Sequence, residues 1–254
     1  MTARQAALVV ALVALAASGA HGETTPELAR LLAASDPFAA APEELRALLV
    51  FSAPTRKARV PIELWRKGDA LALVRFLAEK DRGKFVVRRD GAFFFLSPGA
   101  KKPVRLAPAL APAGGAALDA LLAVRPSRDY EVESAREEAG LVTFDLTAKP
   151  GAPGAPRVRW VVDRARRVPV RAEFRDAQDR VERVVEFERW KSAARLEPAA
   201  IVAKEIARGG LPLEVEFLAL EATTVDAALF DLDDGSARAA LPVPEVELTP
   251  AASR

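Results

Sequence analysis

Apolar and polar residues alternate along most of the second half of the chain. Between residues 142 and 217, apolar side chains recur at every second position of several runs, with charged residues between them. This period of two is typical of β-strands that have one face against a core and the other in water. Short turn signals separate the runs, and a similar run surrounds residues 60–64. The pattern therefore predicts long antiparallel strands joined by hairpins.

Helical patterns are fewer and shorter than the strand patterns. Thr25 and Pro26 indicate a helix start, with Thr as the N-cap and Pro at the first helical position. A second helical piece is predicted after Pro42, and a third over residues 116–124. Such pieces are too few to form a layer, so we expect them to plug one strongly curved antiparallel sheet, an incomplete barrel. The apolar face of the third helix consists of Leu118, Leu121 and Leu122.

The stretch AFFFL, residues 92–96, places large apolar side chains on both faces of one strand. It lies between two turn signals, DG at 90–91 and PG at 98–99. Since alternate residues point to opposite faces, Phe93 and Phe95 share one face, and Phe94 and Leu96 share the other. Both faces therefore need cover. We place Phe93 and Phe95 inside the curved sheet, and the opposite phase is the alternative that the pattern leaves open.

The two ends of the chain differ from the middle. Arg4 precedes an apolar run at 6–17 and small residues at 18–20, which is the three-part pattern of a secretory signal peptide. The run is shorter than the roughly 17–25 residues of a membrane-spanning helix. Residues 1–20 are therefore predicted to be a signal peptide, cleaved after Ala20 or, alternatively, after Gly22.

The rest of the chain is predicted to contain one domain, residues 21–232. The aperiodic residues 233–254 are predicted to be a disordered tail.

Composition narrows the chemistry that the chain can perform. It has no cysteine, and its one histidine is His21, beside the predicted cleavage site. Thiol-based and histidine-based catalytic or metal sites are therefore excluded, and so is the lipidated cysteine of bacterial lipoproteins. The net charge is +2, with acidic and basic residues interspersed, so nucleic acid is not expected as a partner. We predict no enzyme activity, metal or cofactor, and a hydrolase with paired carboxylates is the alternative.

Several segments, in order, resemble one protein family. They cover residues 60–98, 143–191 and 225–232, and include GAFFFLSP at 91–98 and WVVD at 160–163, followed by Pro169 and Phe174. The segments are similar to the outer-membrane lipoprotein-sorting proteins, the LolA-like periplasmic carriers. The resemblance implies a mainly β, LolA/LolB-like fold, an incomplete barrel closed by helices. It also implies an apolar cavity for acyl chains of lipoproteins or lipids.

The residues alone leave an open cavity and a packed core equally possible, and the resemblance favours the cavity. It implies a monomeric, non-enzymatic carrier or chaperone in the periplasm, which passes lipid or lipoprotein from an inner-membrane transporter towards an outer-membrane acceptor. The alternative is an envelope-sensing or exporter-accessory binding module with the same fold and a packed core. The residues expected to line the cavity are Ile62, Leu64, Phe93, Phe95, Trp160, Phe174, Phe187 and Phe217, and those expected on its lid are Leu118, Leu121 and Leu122.

Overall fold

The structure, a computed structural model, describes residues 25–36, 43–52, 59–68, 70–100, 102–106, 125–152, 154–192, 197–205 and 212–244. Most of these residues belong to strands of one antiparallel sheet. In chain order the strands are β1 (Glu44–Ser52), β2 (Arg59–Lys67), β3 (Leu71–Phe76), β4 (Phe85–Arg89), β5 (Ala92–Leu96), β6 (Val104–Leu106), β7 (Tyr130–Glu138), β8 (Leu141–Ala148), β9 (Arg157–Asp163), β10 (Val168–Arg175), β11 (Val181–Ser192), β12 (Glu197–Glu205) and β13 (Leu213–Ala222).

The spatial order of the sheet is β6-β5-β4-β3-β2-β1-β13-β12-β11-β10-β9-β8-β7. Strands that follow one another in the chain pair in space, and the two halves join where β1 pairs with β13. The strands β6 and β7 end this order without pairing with each other, so the sheet is open. The mainly β fold with an incomplete antiparallel barrel, predicted from the alternating pattern, is confirmed.

The described helices are short. They are α1 (Pro26–Ala34), α2 (Pro126–Asp129), α3 (Ser236–Ala239) and two 3-10 turns, Glu79–Asp81 and Ala227–Phe230. The predicted start of α1 is confirmed, because Thr25 Oγ1 accepts a hydrogen bond from the Leu28 N–H at 3.3 Å. The predicted helix over residues 116–124 lies outside the described residues.

The helix predicted after Pro42 is wrong, because residues 44–52 form strand β1. Leu45, Ala47 and Leu49 lie at every second position of this strand, and all three belong to one buried cluster. Hydrogen bonds to β2 on one side and β13 on the other make β1 a central strand. Pairing with distant segments therefore overrides the weak helical preference of a short stretch.

One buried cluster occupies one face of the sheet, which we call the inner face. Leu64 of β2, Phe144 of β8 and Phe217 of β13 all belong to it, although β2 and β8 are far apart in the sheet order. A sheet that curls around a common core, as in an incomplete barrel, brings such strands to one cluster. Helix α1 adds Leu31 and Leu32 to the same cluster and so plugs the concavity.

The opposite, outer face of β2–β4 is covered by residues 223–244, which we call the C-terminal strap. Leu73 of β3 and Val87 of β4 are buried there with Val225, Leu229 and Phe230 of the strap. This second cluster is separate from the first, so these strands have apolar cover on both faces. Burial of this kind stabilises the fold by about 25 cal/mol for each Å² of apolar surface removed from water.

Three charged side chains hold the strap by hydrogen bonds to its backbone. Glu44 accepts the Val225 N–H at 2.6 Å, and the Lys67 ammonium donates to the Val225 carbonyl at 2.8 Å. Further along the strap, Arg75 Nη1 donates to the Leu241 carbonyl at 3.0 Å. Hydrogen bonds that involve a charged group are stronger than neutral ones, so the strap is anchored as well as packed.

The strap extends into the stretch for which the sequence predicts disorder. Helix α3 lies there, and the neighbouring Leu241 packs against the outer-face cluster. Arg238 is 4% exposed and donates from Nη1 to the Leu229 carbonyl at 3.1 Å. The apolar outer face of β3 and β4 supplies burial that this proline-containing segment could not provide for itself. Residues 245–254 lie outside the described residues.

We expect Phe230→Ala to lower the free energy of unfolding by about 3–5 kcal/mol, because the substitution leaves a cavity between strap and sheet. Urea denaturation measures this loss. Val243→Ala is the control in the same strap, because Val243 is 62% exposed, and its expected effect is within about 0.5 kcal/mol. Equal losses in the two variants would contradict the packing described here.

We expect the contribution of Glu44 to depend on pH. Hydrogen bonds from the Val225 N–H and from Lys67 lower the pKa of Glu44 below its ordinary value of 4.5. A lowered folded pKa means that the stabilisation is complete above 4.5 and is lost as the pH falls through the folded value. The stability difference between wild type and Glu44→Gln should therefore shrink in acid. Denaturation across this pH range measures it, and the adjacent, exposed Glu43→Gln should show no such trend.

Candidate functional site

Strand register places Phe93 and Phe95 on the inner face. Val74 of β3 is opposite Val86 of β4, and Val86 is opposite Phe95 of β5. Residues directly opposite each other in antiparallel strands have side chains on the same face. Val74 packs against the inner cluster, so Phe95 faces the same side, and Phe93, two residues earlier, shares it.

Phe94 and Leu96 face the outer side of the sheet. Leu96 is opposite Phe85, and both pack against the outer-face cluster that the strap completes. Phe94 is opposite the buried Val87 of the same cluster. The two faces of the AFFFL strand therefore belong to different environments, with the strap beneath one and the inner concavity above the other.

Six of the eight predicted cavity residues lie together in the buried cluster of the inner face. Two of them contact each other, because Trp160 meets Phe187 edge to face with ring centroids 5.6 Å apart. Phe187 also stacks, at 5.8 Å, on Trp190, a partly buried neighbour of the cluster. The six residues, each exposed by 5% or less, are Ile62, Leu64, Trp160, Phe174, Phe187 and Phe217.

Helix α1 closes this part of the inner face through two polar contacts. The indole N–H of Trp160 donates to Ser35 Oγ at 3.1 Å, and the Ser35 hydroxyl donates to the Leu32 carbonyl at 2.9 Å. At the other end of the helix, Glu27 pairs with Arg164 at 2.6 Å. Sequence reasoning did not select Ser35. Its signal is weak, because a serine after an apolar helix is also an ordinary helix end.

The inner face is less closed at its β3–β6 end. Phe93 and Phe95 are half-buried, and Val104, opposite Phe95 in the edge strand β6, is 55% exposed. We call this region the half-buried end. Its other half-buried apolar residues are Ala72, Val74 and Phe76. The inner face thus changes from a packed core at β8–β13 to partly exposed apolar surface near β6.

The predicted lid residues Leu118, Leu121 and Leu122 lie outside the described residues. In the chain they follow β6, whose last residue, Leu106, is opposite Phe93. The segment that contains them therefore follows directly from the strand at the half-buried end. Their contact with a cavity stays a prediction.

Charged residues of the long strands lie on the outer face and pair with each other. Glu216 pairs with Arg59 at 2.6 Å, and Asp145 pairs with Arg159 at 2.7 Å. Burial alone would raise the pKa of Asp145, but the hydrogen bond and charge of Arg159 outweigh it, so the pKa is lowered. Arg159 therefore holds the Asp145 carboxylate in its ionised form, as in structural ion pairs.

Two further properties bear on the function. Among the residues that the structure describes, no group of three or more histidine, aspartate or glutamate side chains is placed to hold a metal ion. Within the same residues, no helix is both long enough and apolar enough to cross a membrane.

Comparison with known proteins shows similarity in structure only. No protein-family model and no curated protein sequence matches the chain. A LolA superfamily protein from Nitrosomonas europaea superposes with a TM-score of 0.61 at 15% identity, covering 81% of this chain and 98% of the other. A DUF1329 family protein from Desulfovibrio piger gives 0.59 at 13% identity, covering 80% and 95%.

A third solved structure points to the same group. It is a domain attributed to outer membrane lipoprotein sorting in Vibrio parahaemolyticus, with a TM-score of 0.56 and 14% identity over 79% of this chain and 95% of that one. Each likeness spans nearly all of the solved neighbour, so it concerns the whole architecture and not one hairpin. At these identities the likeness concerns the fold. The chain therefore has the fold of the LolA superfamily and of outer-membrane lipoprotein-sorting domains.

Proposed function

We propose that this chain is a non-enzymatic periplasmic carrier or chaperone that binds acyl chains of lipids or lipoproteins on its inner face. One observation carries the proposal: Phe93 and Phe95 face inward and are only half-buried, beside β6, the terminal strand of the sheet among the described residues. Partly exposed apolar surface inside a concave sheet is the kind of surface that binding sites for apolar ligands present.

Hydrophobic burial is sufficient to hold such a ligand. Each methylene that leaves water contributes about 0.8 kcal/mol, so an acyl chain needs no charged anchor along its length. The strap covers the outer face of β3 and β4, and Leu96 of β5 packs against the same outer-face cluster. The strand that presents Phe93 and Phe95 is therefore held from behind. A rigid wall of this kind loses little conformational entropy when it binds, which favours affinity.

The half-buried end is the proposed entry to the site, and the packed cluster is its deeper wall. Leu64 and Ile62 lie next to this end, since Leu64 is opposite Val74 in β3. Cargo that reached Trp160 or Phe174 would have to displace α1 and break the Trp160–Ser35 hydrogen bond. We therefore assign first contact to Phe93 and Phe95. The residues reached only after α1 moves are Trp160, Phe174, Phe187 and Phe217.

The LolA-type fold supports a carrier that works between two membranes. On this proposal an inner-membrane transporter supplies the cargo, an outer-membrane acceptor receives it, and the carrier is a monomer. The signal-peptide pattern of residues 1–20 supports export to the periplasm. Because the chain has no cysteine, it cannot carry the cysteine-linked lipid of lipoproteins, which fits a carrier that diffuses between membranes.

A second candidate is favoured by the packing at β8–β13. Phe144, Phe174 and Phe217 are each exposed by 2% or less and belong to the cluster that α1 completes. An inner face packed in this way suits an envelope-sensing or exporter-accessory module that binds a protein partner and no lipid. The two candidates differ at the half-buried end, which binds acyl chains in the carrier and binds no lipid in the packed module.

We expect the double variant Phe93→Ala/Phe95→Ala to weaken binding of a fluorescent fatty acid by about tenfold or more, because each phenylalanine contributes roughly 1.5–3 kcal/mol when fully buried. Titration of the purified mature protein measures the affinity. Phe94→Ala is the matched control, with the same residue type in the same strand but on the outer face. It should leave the affinity nearly unchanged.

Two results would reject the carrier in favour of the packed module. One is the absence of any lipid when the natively purified protein is extracted for mass spectrometry, together with no fatty-acid binding. The other is that Phe95→Glu unfolds the protein and that added lipid leaves the Tm of the wild type unchanged. A carrier predicts the reverse: Phe95→Glu keeps a cooperative thermal transition and loses lipid uptake.

We also expect the full chain to be exported to the periplasm and cleaved to a shorter mature protein. Expression of the full chain in a Gram-negative host, followed by fractionation and N-terminal sequencing, should give a periplasmic protein that begins at His21 or Glu23. Ala20→Leu should impair cleavage at the first of these sites, because signal peptidase requires a small residue there. Recovery of the intact chain in the cytoplasm would contradict the localisation.

A further inference from the structure

An apolar pocket lies on the outer side of the sheet, between the outer face of β3–β5 and the end of the strap. Its volume is about 470 Å³, within the range of pockets that hold small ligands. We call it the outer pocket and define it by its principal residues, Phe85, Leu96, Leu241, Arg75, Arg82 and Arg238. Register separates it from the half-buried end, because Phe85 and Leu96 face outward while Phe95 faces inward.

The outer pocket combines apolar walls with positive charge. Phe85 and Leu96 come from the sheet and Leu241 from the strap, so the pocket exists only because the strap docks there. Three arginines line it, and no acidic residue is among the described residues that do so. Apolar walls with one sign of charge fit an amphiphile whose head carries the opposite charge.

One of the three arginines is placed to receive an anion. Arg75 is 6% exposed and already pairs with Glu63 at 2.5 Å. Arg238 is buried and donates to the Leu229 carbonyl. Arg82 is exposed at the pocket and forms no ion pair with the described residues. A guanidinium in that position can take a carboxylate in bidentate fashion.

We propose that the outer pocket binds a single-chain carboxylate amphiphile, of the fatty-acid type. Its chain lies against Phe85, Leu96 and Leu241, and its carboxylate lies at Arg82. This site goes beyond the acyl-chain site proposed on the inner face, and neither depends on the other. Because the strap forms one wall, a ligand bound here also ties the strap to the sheet.

The first test compares two probes with the same chain and opposite head charge. Calorimetric titration of the mature protein with dodecanoate, below its micelle concentration, should show saturable binding that remains in the variant Phe93→Ala/Phe95→Ala. Dodecyltrimethylammonium should not bind to that variant. The variant Phe93→Ala/Phe95→Ala lacks the proposed inner-face site. Dodecanoate binding that remains in it therefore reports on the outer pocket alone and is independent of the proposed function.

The second test blocks the pocket or reverses its charge. In that background, Ala239→Trp should abolish dodecanoate binding, because Ala239 is exposed and lines the pocket. Arg82→Glu should weaken binding by about tenfold or more, because it removes the charge-assisted hydrogen bonds of Arg82 and places a like charge beside the carboxylate. The matched controls are Ala240→Trp and Lys80→Glu, at exposed neighbours that do not line the pocket, and both should bind as before.

Four results would overturn the proposal. Three of them are unchanged dodecanoate affinity in Ala239→Trp, equal binding of the cationic probe, and equal losses in the control variants. If Ala239→Trp fails to fold, the comparison of Arg82→Glu with Lys80→Glu still decides the matter, because both positions are exposed. Loss of all dodecanoate binding in Phe93→Ala/Phe95→Ala alone would overturn the outer pocket and support the inner-face site.

Discussion

Apolar side chains on both faces of β3–β5 are the constraint on which the rest of the structure depends. In β3, Leu73 faces the strap and Val74 faces the inner cluster, and β4 repeats the arrangement with Val87 and Val86. A sheet with one wet face would leave half of these side chains in water. Two separate groups of residues cover these side chains. The buried cluster of the inner face covers one side, and the C-terminal strap covers the other. The proposed sites on the two faces follow from this division.

A buried acid joins the strap to the same strands. Glu63 of β2 is fully buried on the outer face, 2.6 Å from the Arg46 guanidinium and 2.5 Å from that of Arg75. Arg75 also donates to strap carbonyls, so one guanidinium links the sheet, the acid and the strap. Burying such charges has a large desolvation cost, which their mutual attraction offsets only in a good geometry. The network therefore favours one position of the strap over neighbouring ones, which apolar contacts alone would not distinguish.

The errors and omissions of sequence reasoning have a common cause. The piece after Pro42 is predicted to be helical because its local pattern is short and ambiguous, whereas pairing with β2 and β13 makes residues 44–52 a central strand. The Trp160–Ser35 hydrogen bond joins residues 125 positions apart, and the sequence around neither residue predicts the contact. Residues 233–244 have little periodicity, yet the outer face of the sheet gives their apolar side chains a place to pack. In each instance a distant segment decided the local structure.

The sequence by itself determined the antiparallel strands, the open mainly β architecture and the fact that Phe93 and Phe95 share one face. A period of two establishes which residues go together. The sequence also excluded thiol and histidine chemistry, because this exclusion depends only on the amino-acid composition. Only the tertiary structure decided which face of that strand points inward, because the two phases are equivalent until the strand pairs with its neighbours. It likewise decided that Trp160, Phe174, Phe187 and Phe217 lie in a packed core while Phe93 and Phe95 stay half-buried, since burial depends on what the rest of the chain places over each residue.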